Sequence, residues 1–400
     1  MIDNLDEFRR EVRSCVVLYS GGLDSSWFLH WCRENGVRAY AVYVHLEDGP
    51  QDPAVEQRAR QLGATPLSFD RVDVFLGDYV APAIRAGGLY QNAFPVCSSL
   101  SRPLMAEVAV RAAASVGTNC VVHTTTFEQN SAARFNNSIR VLAPDVIVAN
   151  PLVQHPVARE EKRRQLEALG VSVREGIYSI DENIWGRVIE CGELDDPANE
   201  VPPHVWRITT HPYDAPRRPT KLALRFEAGV PVAVDGERMP LTRLVSLLNE
   251  VGGRYGVGRY NSLEDTFLGI KNHEVRESPG AHSILAAHAA LERGTLTQRE
   301  LRVKGQADSE WVELAVNGGW HTPLREALDA LITSLSRVVN GEVVLEFQPG
   351  AAFVSALRSE AALHFSNVAR HGSVSLADFS YREYFDLLAL PHEMRSRRRL

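Results

Sequence analysis

The chain has 400 residues, of which 44% are hydrophobic and 23% charged, with a formal net charge of −7. That length leaves room for two or three domains with ample core, and the acidic balance argues against broad nucleic-acid binding. No apolar run reaches the ~18 residues of a membrane span, so no membrane partner is expected. The start, MIDNLDEFRREVRS, is neither a signal peptide nor an Arg-rich transit peptide, and a cytoplasmic protein is the expectation. The cysteines, Cys15, Cys32, Cys97, Cys120 and Cys191, are odd in number and form no C-x-x-C, so neither a disulfide framework nor a zinc site is indicated.

In chain order, residues 15–19 read as a buried strand and 27–34 as a helix stopped near Gly36. Strands follow at 37–44, 65–69, 119–123 and 146–150, alternating with helices at 52–62, 102–114 and 158–169. This rhythm predicts an α/β fold, a mostly parallel sheet covered on both faces, with ligands bound beyond the carboxyl ends of its strands. Residues 195–219 are rich in proline and charge and read as a connecting arm. The second half reads as α+β: hairpins at 221–234 and 343–356, helices at 241–251, 284–293 and 324–339, and a glycine-rich loop GGRYGVGR at 252–259. Residues 378–390 predict an amphipathic helix, followed by a basic tail, RSRRRL. These features divide the chain into a nucleotide-type domain at 1–165, a substrate domain at 166–370 and a terminal helix with its tail at 371–400.

The stretch CVVLYSGGLDSS, residues 15–26, joins a strand to a helix through a small polar loop. Gly21 and Gly22 let the backbone turn tightly and approach a ligand. The helix start offers free N–H groups to a phosphate, and Ser20, Ser25 and Ser26 add hydroxyls. Asp24 suits a helix N-cap or a place beside a cation. The loop is neither G-x-x-x-x-G-K-[ST] nor G-x-G-x-x-G. It resembles the pyrophosphate loop of enzymes that cleave ATP to AMP and pyrophosphate.

Further segments narrow the resemblance. Leu89-Tyr90 with Ser98-Ser99-Leu100-Ser101-Arg102-Pro103, the spaced set His123, Thr126, Asn130, Arg134 and Phe135, the run Ser179-Ile180-Asp181-Glu182-Asn183-Ile184-Trp185-Gly186-Arg187, and Gly256-Val257-Gly258-Arg259 with Glu264, Phe267, Gly269 and Lys271 occur in the order found in argininosuccinate synthases. The chain resembles that family over about residues 14 to 390. The resemblance implies a nucleotide domain of the ATP-pyrophosphatase type, a synthetase domain, and a terminal helix used to build homotetramers. It implies ATP and Mg2+, with citrulline adenylated and aspartate displacing AMP. By the same resemblance Ser20, Gly21, Gly22, Asp24, Ser25 and Ser26 hold phosphates. Tyr90, Ser99, Arg134, Ser179 and Glu264 contact the citrulline-like substrate, and Ser98, Thr126 and Asn130 contact the aspartate-like amine. Taken singly, each also has an ordinary structural role: Arg134 a surface ion pair, Glu264 a loop cap, Ser98 and Ser99 a cap on the helix before Arg102. Asp181-Glu182-Asn183 reads as a turn that places Ser179 rather than as a metal site, and His123 reads equally as a ligand contact or a satisfied strand-end histidine.

The departures from the family pattern fall among these residues. Ser131 stands where the family has a carboxylate, after Phe127-Glu128-Gln129 has replaced two glycines and a lysine. Val188 stands for a serine, and Arg276 for a tyrosine. An unsatisfied buried polar group costs about 1–3 kcal/mol, so three altered polar contacts can change substrate preference by orders of magnitude. Retained adenylation with altered partner pockets is the expectation, with Arg276 suited to a substrate bearing an extra anionic group.

Overall fold

The computed structural model describes residues 1–126, 129–154, 156–171, 177–364 and 380–397. Its first sheet is parallel throughout, in the order β3-β2-β1-β6-β7. The strands are β1 (Ser14–Leu18), β2 (Arg38–His45), β3 (Thr65–Asp70), β6 (Cys120–Val122) and β7 (Ile147–Ala149), with the short hairpin β4 (Leu89–Tyr90) and β5 (Phe94–Pro95) set apart. The two-residue period of β1 divides the core. Val16 and Leu18 pack into one apolar cluster beneath helix Ser98–Val116, while Cys15 and Val17 face Phe8, Trp27 and Phe28 on the other side. After β1 the chain builds outward through β2 and β3, then returns to add β6 on the opposite flank of β1. The gap between the carboxyl ends of β1 and β6 is therefore the topological switch point, where open α/β sheets bind ligands.

The second half carries two antiparallel sheets. One has the order β13-β14-β9-β8, from β8 (Ser179–Asn183), β9 (Gly186–Glu190), β13 (Arg259–Asp265) and β14 (Lys271–Glu277). The other has the order β12-β11-β10-β15-β16, from β10 (Thr220–Glu227), β11 (Val230–Val234), β12 (Glu237–Arg238), β15 (Gly341–Gln348) and β16 (Ala351–Arg358).

Several elements depart from the sequence reading. The first crossover helix spans Leu23–Glu34, four residues earlier than expected, so Asp24, Ser25 and Ser26 lie inside its first turn; Gly22 is the N-cap, and Asp24 caps nothing. Helix Ser98–Val116 likewise begins early, at an N-cap of Cys97, so Ser98 and Ser99 are helical rather than capping. Gly252 and Gly253 belong to helix Leu241–Arg254, not to a loop. They are glycine because neighbours press on them: a Cβ on Gly253 would stand 2.2 Å from the Ile208 carbonyl oxygen, and one on Gly252 would stand 3.0 Å from Pro279 Cβ. Helices Ser131–Leu142 and Gln298–Val316, and the run Val72–Val74, Phe75–Val80 and Ala81–Arg85 with its π-helical middle, were not anticipated. The expected terminal helix is present as Tyr381–Arg397, its first expected residues lying outside the described ones. Phe127, Glu128 and the side chains of the basic tail also lie outside them. No described helix is long and apolar enough to cross a membrane.

Candidate active site

The phosphate-type loop leaves the carboxyl end of β1 at the switch point. Gly21 adopts φ +76°, a conformation that L side chains rarely take, and the turn delivers Gly22 as the N-cap with no side-chain cap of its own. Ser20 is exposed and its Oγ accepts from Gly22 N–H at 3.3 Å. Ser25 Oγ donates to the Gly22 carbonyl at 3.4 Å, and Ser26 lies 3.4 Å from Tyr19 Oη. Asp24 pairs at 2.6 Å with Lys162, a buried lysine from helix Arg159–Ala168. Its carboxylate thus sits beside a cation, one of the two roles expected of it.

The strand β6, next to β1, is followed directly by His123. This imidazole is fully enclosed, bonded through Nε2 to Asn136 Oδ1 at 2.9 Å and through Nδ1 to Thr125 Oγ1 at 2.8 Å. Burial pushes its pKa down to about 4. It is a satisfied strand-end histidine. The chain then turns into helix Ser131–Leu142, which presents Arg134 inward.

Arg134 is the centre of a polar cluster drawn from four distant segments. Its Nη2 donates to Glu264 Oε1 at 3.1 Å, its Nη1 to Ser98 Oγ at 3.1 Å, and its Nε to the Val316 carbonyl at 2.7 Å. The surface ion pair considered for Arg134 is thereby replaced by a buried one. Asn130 clasps the end of β13: its Nδ2 donates to Glu264 Oε1 at 3.0 Å and to the Asp265 carbonyl at 2.8 Å, while its Oδ1 accepts from Phe267 N–H at 3.1 Å. Tyr90 Oη reaches Asp265 Oδ2 at 3.3 Å. Arg276 pairs with both Glu264 and Glu274 and lies 4.1 Å from the centre of the Phe94 ring. Against the upward push of burial, the guanidinium groups of Arg134 and Arg276 hold Glu264 well below the usual carboxylate range. Glu274 goes the other way, up to about 8, because burial outweighs its attraction to Arg276 and both Glu264 and Glu190 add like charge.

The sheet explains why these groups meet. Residues directly opposite on paired strands share a face, and the register places Tyr260, Arg276, Val188 and Asp181 in one row. With the two-residue period, Ser179, Glu190, Asn272, Glu274 and Glu264 fall on the same face. The opposite face supplies Ile189 and Val275 to a small apolar core with Leu194 and Val205. The three departures are contiguous on this polar side. Ser131 Oγ accepts from Arg102 Nε at 3.2 Å, and Arg102 pairs with Asp181 at 2.7 Å, next in its row to Val188 and then Arg276.

Asp181-Glu182-Asn183 forms the end of β8 and its turn. Asn183 Oδ1 accepts from the N–H groups of Trp185 and Gly186 at 2.9 and 3.3 Å. Among the described residues no group of three His, Cys, Asp or Glu side chains could hold a metal ion. Ser99 is buried in the first turn of its helix, and Thr126 N–H donates to Gln129 Oε1 at 3.3 Å; among the described residues neither side chain bonds to the Arg134 cluster. Arg102 and Gln129, which donates to Glu190 at 3.1 Å, join the site without having been singled out. The run Ser101-Arg102-Pro103 was recognised as a motif, but its arginine gave no sign of bridging to β8.

A parallel sheet with a glycine turn at its switch point and a polar sheet face from a second unit make a two-part arrangement, and two family models match its two parts. Residues 14–171 match the "Arginosuccinate synthase N-terminal HUP domain" and residues 178–389 the "Arginosuccinate synthase C-terminal domain". The chain is 38% identical over 372 residues to an argininosuccinate synthase of Rubrobacter xylanophilus, covering 92% of this chain and 91% of that one. It is 38% identical to one of Pyrococcus furiosus (91% and 89% covered) and 38% identical to one of Rhodococcoides fascians (85% and 87% covered). The chain belongs to the argininosuccinate synthase family.

Proposed function

We propose that the chain joins a ureido compound, citrulline or a relative of it, to an amine, aspartate or an analogue, at the expense of ATP. The ureido oxygen attacks the α-phosphorus as the bond to the β-phosphate oxygen breaks, releasing pyrophosphate. The amine nitrogen then attacks the ureido carbon and AMP leaves. Ser20, Gly21, Gly22, Asp24, Ser25 and Ser26 hold the phosphates, the helix N-terminus contributing free N–H groups. Asp24, partly exposed beside Lys162, suits a Mg2+ held mainly by the phosphates themselves. That ion would neutralise charge on the departing pyrophosphate. Arg134 takes a substrate carboxylate by exchanging its bonds to Ser98 and Glu264 for it, with Tyr90, Ser99, Ser179 and Glu264 around the electrophile and Ser98, Thr126, Asn130 and Ser131 around the amine. Holding both partners beside the nucleotide replaces encounters in solution by a positioned reaction.

The observation that carries this reading is the convergence of Ser98, Asn130, Arg134 and Glu264 in direct hydrogen bonds from three separate segments. Pyrophosphate release is the test. Turnover that requires ATP, a ureido acid and an amine together supports it; none with any ureido acid and amine refutes it.

A second reading is favoured by the contiguity of Ser131, Val188 and Arg276: a specialised relative that adenylates an electrophile other than citrulline or accepts an amine other than aspartate. Arg276 is discharged internally by Glu264 and Glu274. Its effect on choice of substrate therefore works through what Glu264 can still accept, not through a free positive charge. Robust turnover with citrulline and aspartate would sink this second reading. We also propose a homotetramer built through helix Tyr381–Arg397, whose Tyr381, Leu387 and Leu388 are 76%, 69% and 50% exposed in the single chain. Light scattering on the full chain and on a chain ending at residue 379 tests it: loss of the tetramer on truncation is expected.

A further inference from the structure

The phosphate-type loop has two cations beside it, and they are placed differently. Lys162 is already spent on Asp24 at 2.6 Å. Arg58 is not. It comes from helix Pro53–Gln61, which follows β2, the strand that pairs with β1 in parallel. Its neighbour Arg60 pairs with Glu56 at 2.8 Å on the open surface, the ordinary arrangement for a helical arginine. The Arg58 guanidinium instead lies against the loop. Its Nη2 is 3.0 Å, and its Nε and Cζ are 3.8 Å, from the point where a Cβ on Gly21 would stand. Its Nε is enclosed and has no hydrogen-bond acceptor. Among the described residues no carboxylate pairs with Arg58.

A guanidinium with an enclosed, unanswered N–H is unfavourable unless an anion completes it. Here the group is pressed on a turn whose glycine, at φ +76°, lets it approach the backbone closely and whose following helix offers bare N–H groups. The planar fork of arginine matches paired phosphate oxygens. We propose that Arg58 is a polyphosphate-binding residue of the nucleotide site. It reaches the loop at Gly21 and engages the phosphates that leave as pyrophosphate. As the bond between the α-phosphorus and the bridging oxygen breaks, negative charge accumulates on the leaving pyrophosphate. A fixed guanidinium is worth most at that point. The assignment rests on the reading that this loop holds the phosphates of ATP.

The test is direct binding by the full chain, which needs no knowledge of the other substrates. Calorimetry with ATP, AMP and inorganic pyrophosphate, each with magnesium, is run on the unaltered protein, Arg58→Met, Arg58→Lys and the loop variant Ser25→Ala. Arg58→Met keeps the apolar stem and removes the charge. It is expected to weaken ATP and pyrophosphate by on the order of ten- to a hundredfold, to change AMP by less than about threefold, and to be partly rescued in Arg58→Lys. If Ser25→Ala weakens ATP while Arg58→Met does not, Arg58 has no such role and the loop reading stands. If neither variant alters ATP binding, or the unaltered chain binds no ATP, the loop reading falls and takes this assignment with it. An equal loss for ATP and AMP in Arg58→Met, unrescued by lysine, would mark a general distortion of the loop and overturn the proposal.

Discussion

Replacing Arg276 by methionine removes the charge at the centre of the polar sheet face while keeping a long apolar stem. Arg276 is 2% exposed and is paired with Glu264 and Glu274. Breaking a buried pair by deleting one partner costs about 3–5 kcal/mol, and the lost cation–π contact with Phe94 adds about 1 kcal/mol. Glu274 limits the loss. Burial favours its uncharged carboxyl, so once Arg276 is gone Glu274 takes up a proton rather than staying an uncompensated charge. Glu264 keeps Arg134 at 3.1 Å. The expected destabilisation at pH 7 is therefore about 3 kcal/mol, at the lower end of that range.

The pH dependence has a definite sign. A carboxyl whose folded pKa is raised leaves stability intact below its unfolded pKa, and stability falls as pH rises toward the folded value. Without Arg276 the folded pKa of Glu274 rises above 8, so the fall continues through pH 9 in the variant after it has levelled off in the parent. Urea unfolding followed by tryptophan fluorescence at pH 7 and pH 9 measures this, with Trp185 buried beside the sheet. Adding Glu274→Gln should remove the extra loss at pH 9. A change under about 1 kcal/mol at both pH values, or a pH 9 excess that survives in Glu274→Gln, would refute the account of Arg276 as an internally discharged cation.

Gly21→Ala forces a left-handed turn on a residue with a Cβ and sets that Cβ 3.0 Å from Arg58. Stability should fall by about 1–2 kcal/mol and ATP affinity by roughly tenfold, read by thermal unfolding and calorimetry. Lys162→Met leaves Asp24 an unopposed anion at the phosphate loop; because Asp24 is 32% exposed, stability should move by about 1 kcal/mol or less, while ATP binding weakens and becomes less salt-sensitive. Away from the site, burial first, and then Asp308 against the pull of Lys304, pushes Glu292 from 4.5 up to about 7. That rise is worth about 3 kcal/mol, present as stability below pH 4.5 and lost as pH climbs through 7. Glu292→Gln keeps the side-chain shape, and Lys304 retains Asp308 at 2.8 Å. The variant should show a flatter stability profile between pH 5 and pH 8; an unchanged profile would count against a raised Glu292.

How much of this could be read beforehand depended on whether a residue's chemistry agreed with its element. The switch-point loop was legible because a β-branched strand, two glycines and three serines all point to one arrangement. The parallel sheet was legible because short apolar strands alternate with helices along roughly the first 170 residues. Strands β8, β9, β13 and β14 were hidden by their polarity. One face of the sheet holds Asp181, Arg276, Glu274 and Glu264, so the apolar alternation that announces a half-buried strand is absent. Helix Ser131–Leu142, with Asn136 and Asn137 in its middle, has weak propensity and is held by Arg134 and Phe135 packing inward. Gly252 and Gly253 looked like loop residues because their sequence shows only permissiveness, whereas the packed structure shows crowding by Ile208 and Pro279. Arg58 was passed over as one more charge on the surface helix QRARQ, since nothing in a linear pattern says which of two nearby arginines turns inward.

The row Tyr260, Arg276, Val188 and Asp181 lies on a sheet hydrogen-bonded separately from the one that carries the glycine turn. Substitutions along that row leave the registry of the nucleotide sheet untouched and do not reach Ile189 and Val275 on the reverse side. On the proposed function, a lineage exchanges one reaction partner for another by drift at alternate positions of a few short strands, while the step that spends ATP is inherited unaltered. Diversification in such a protein should be written in every second residue.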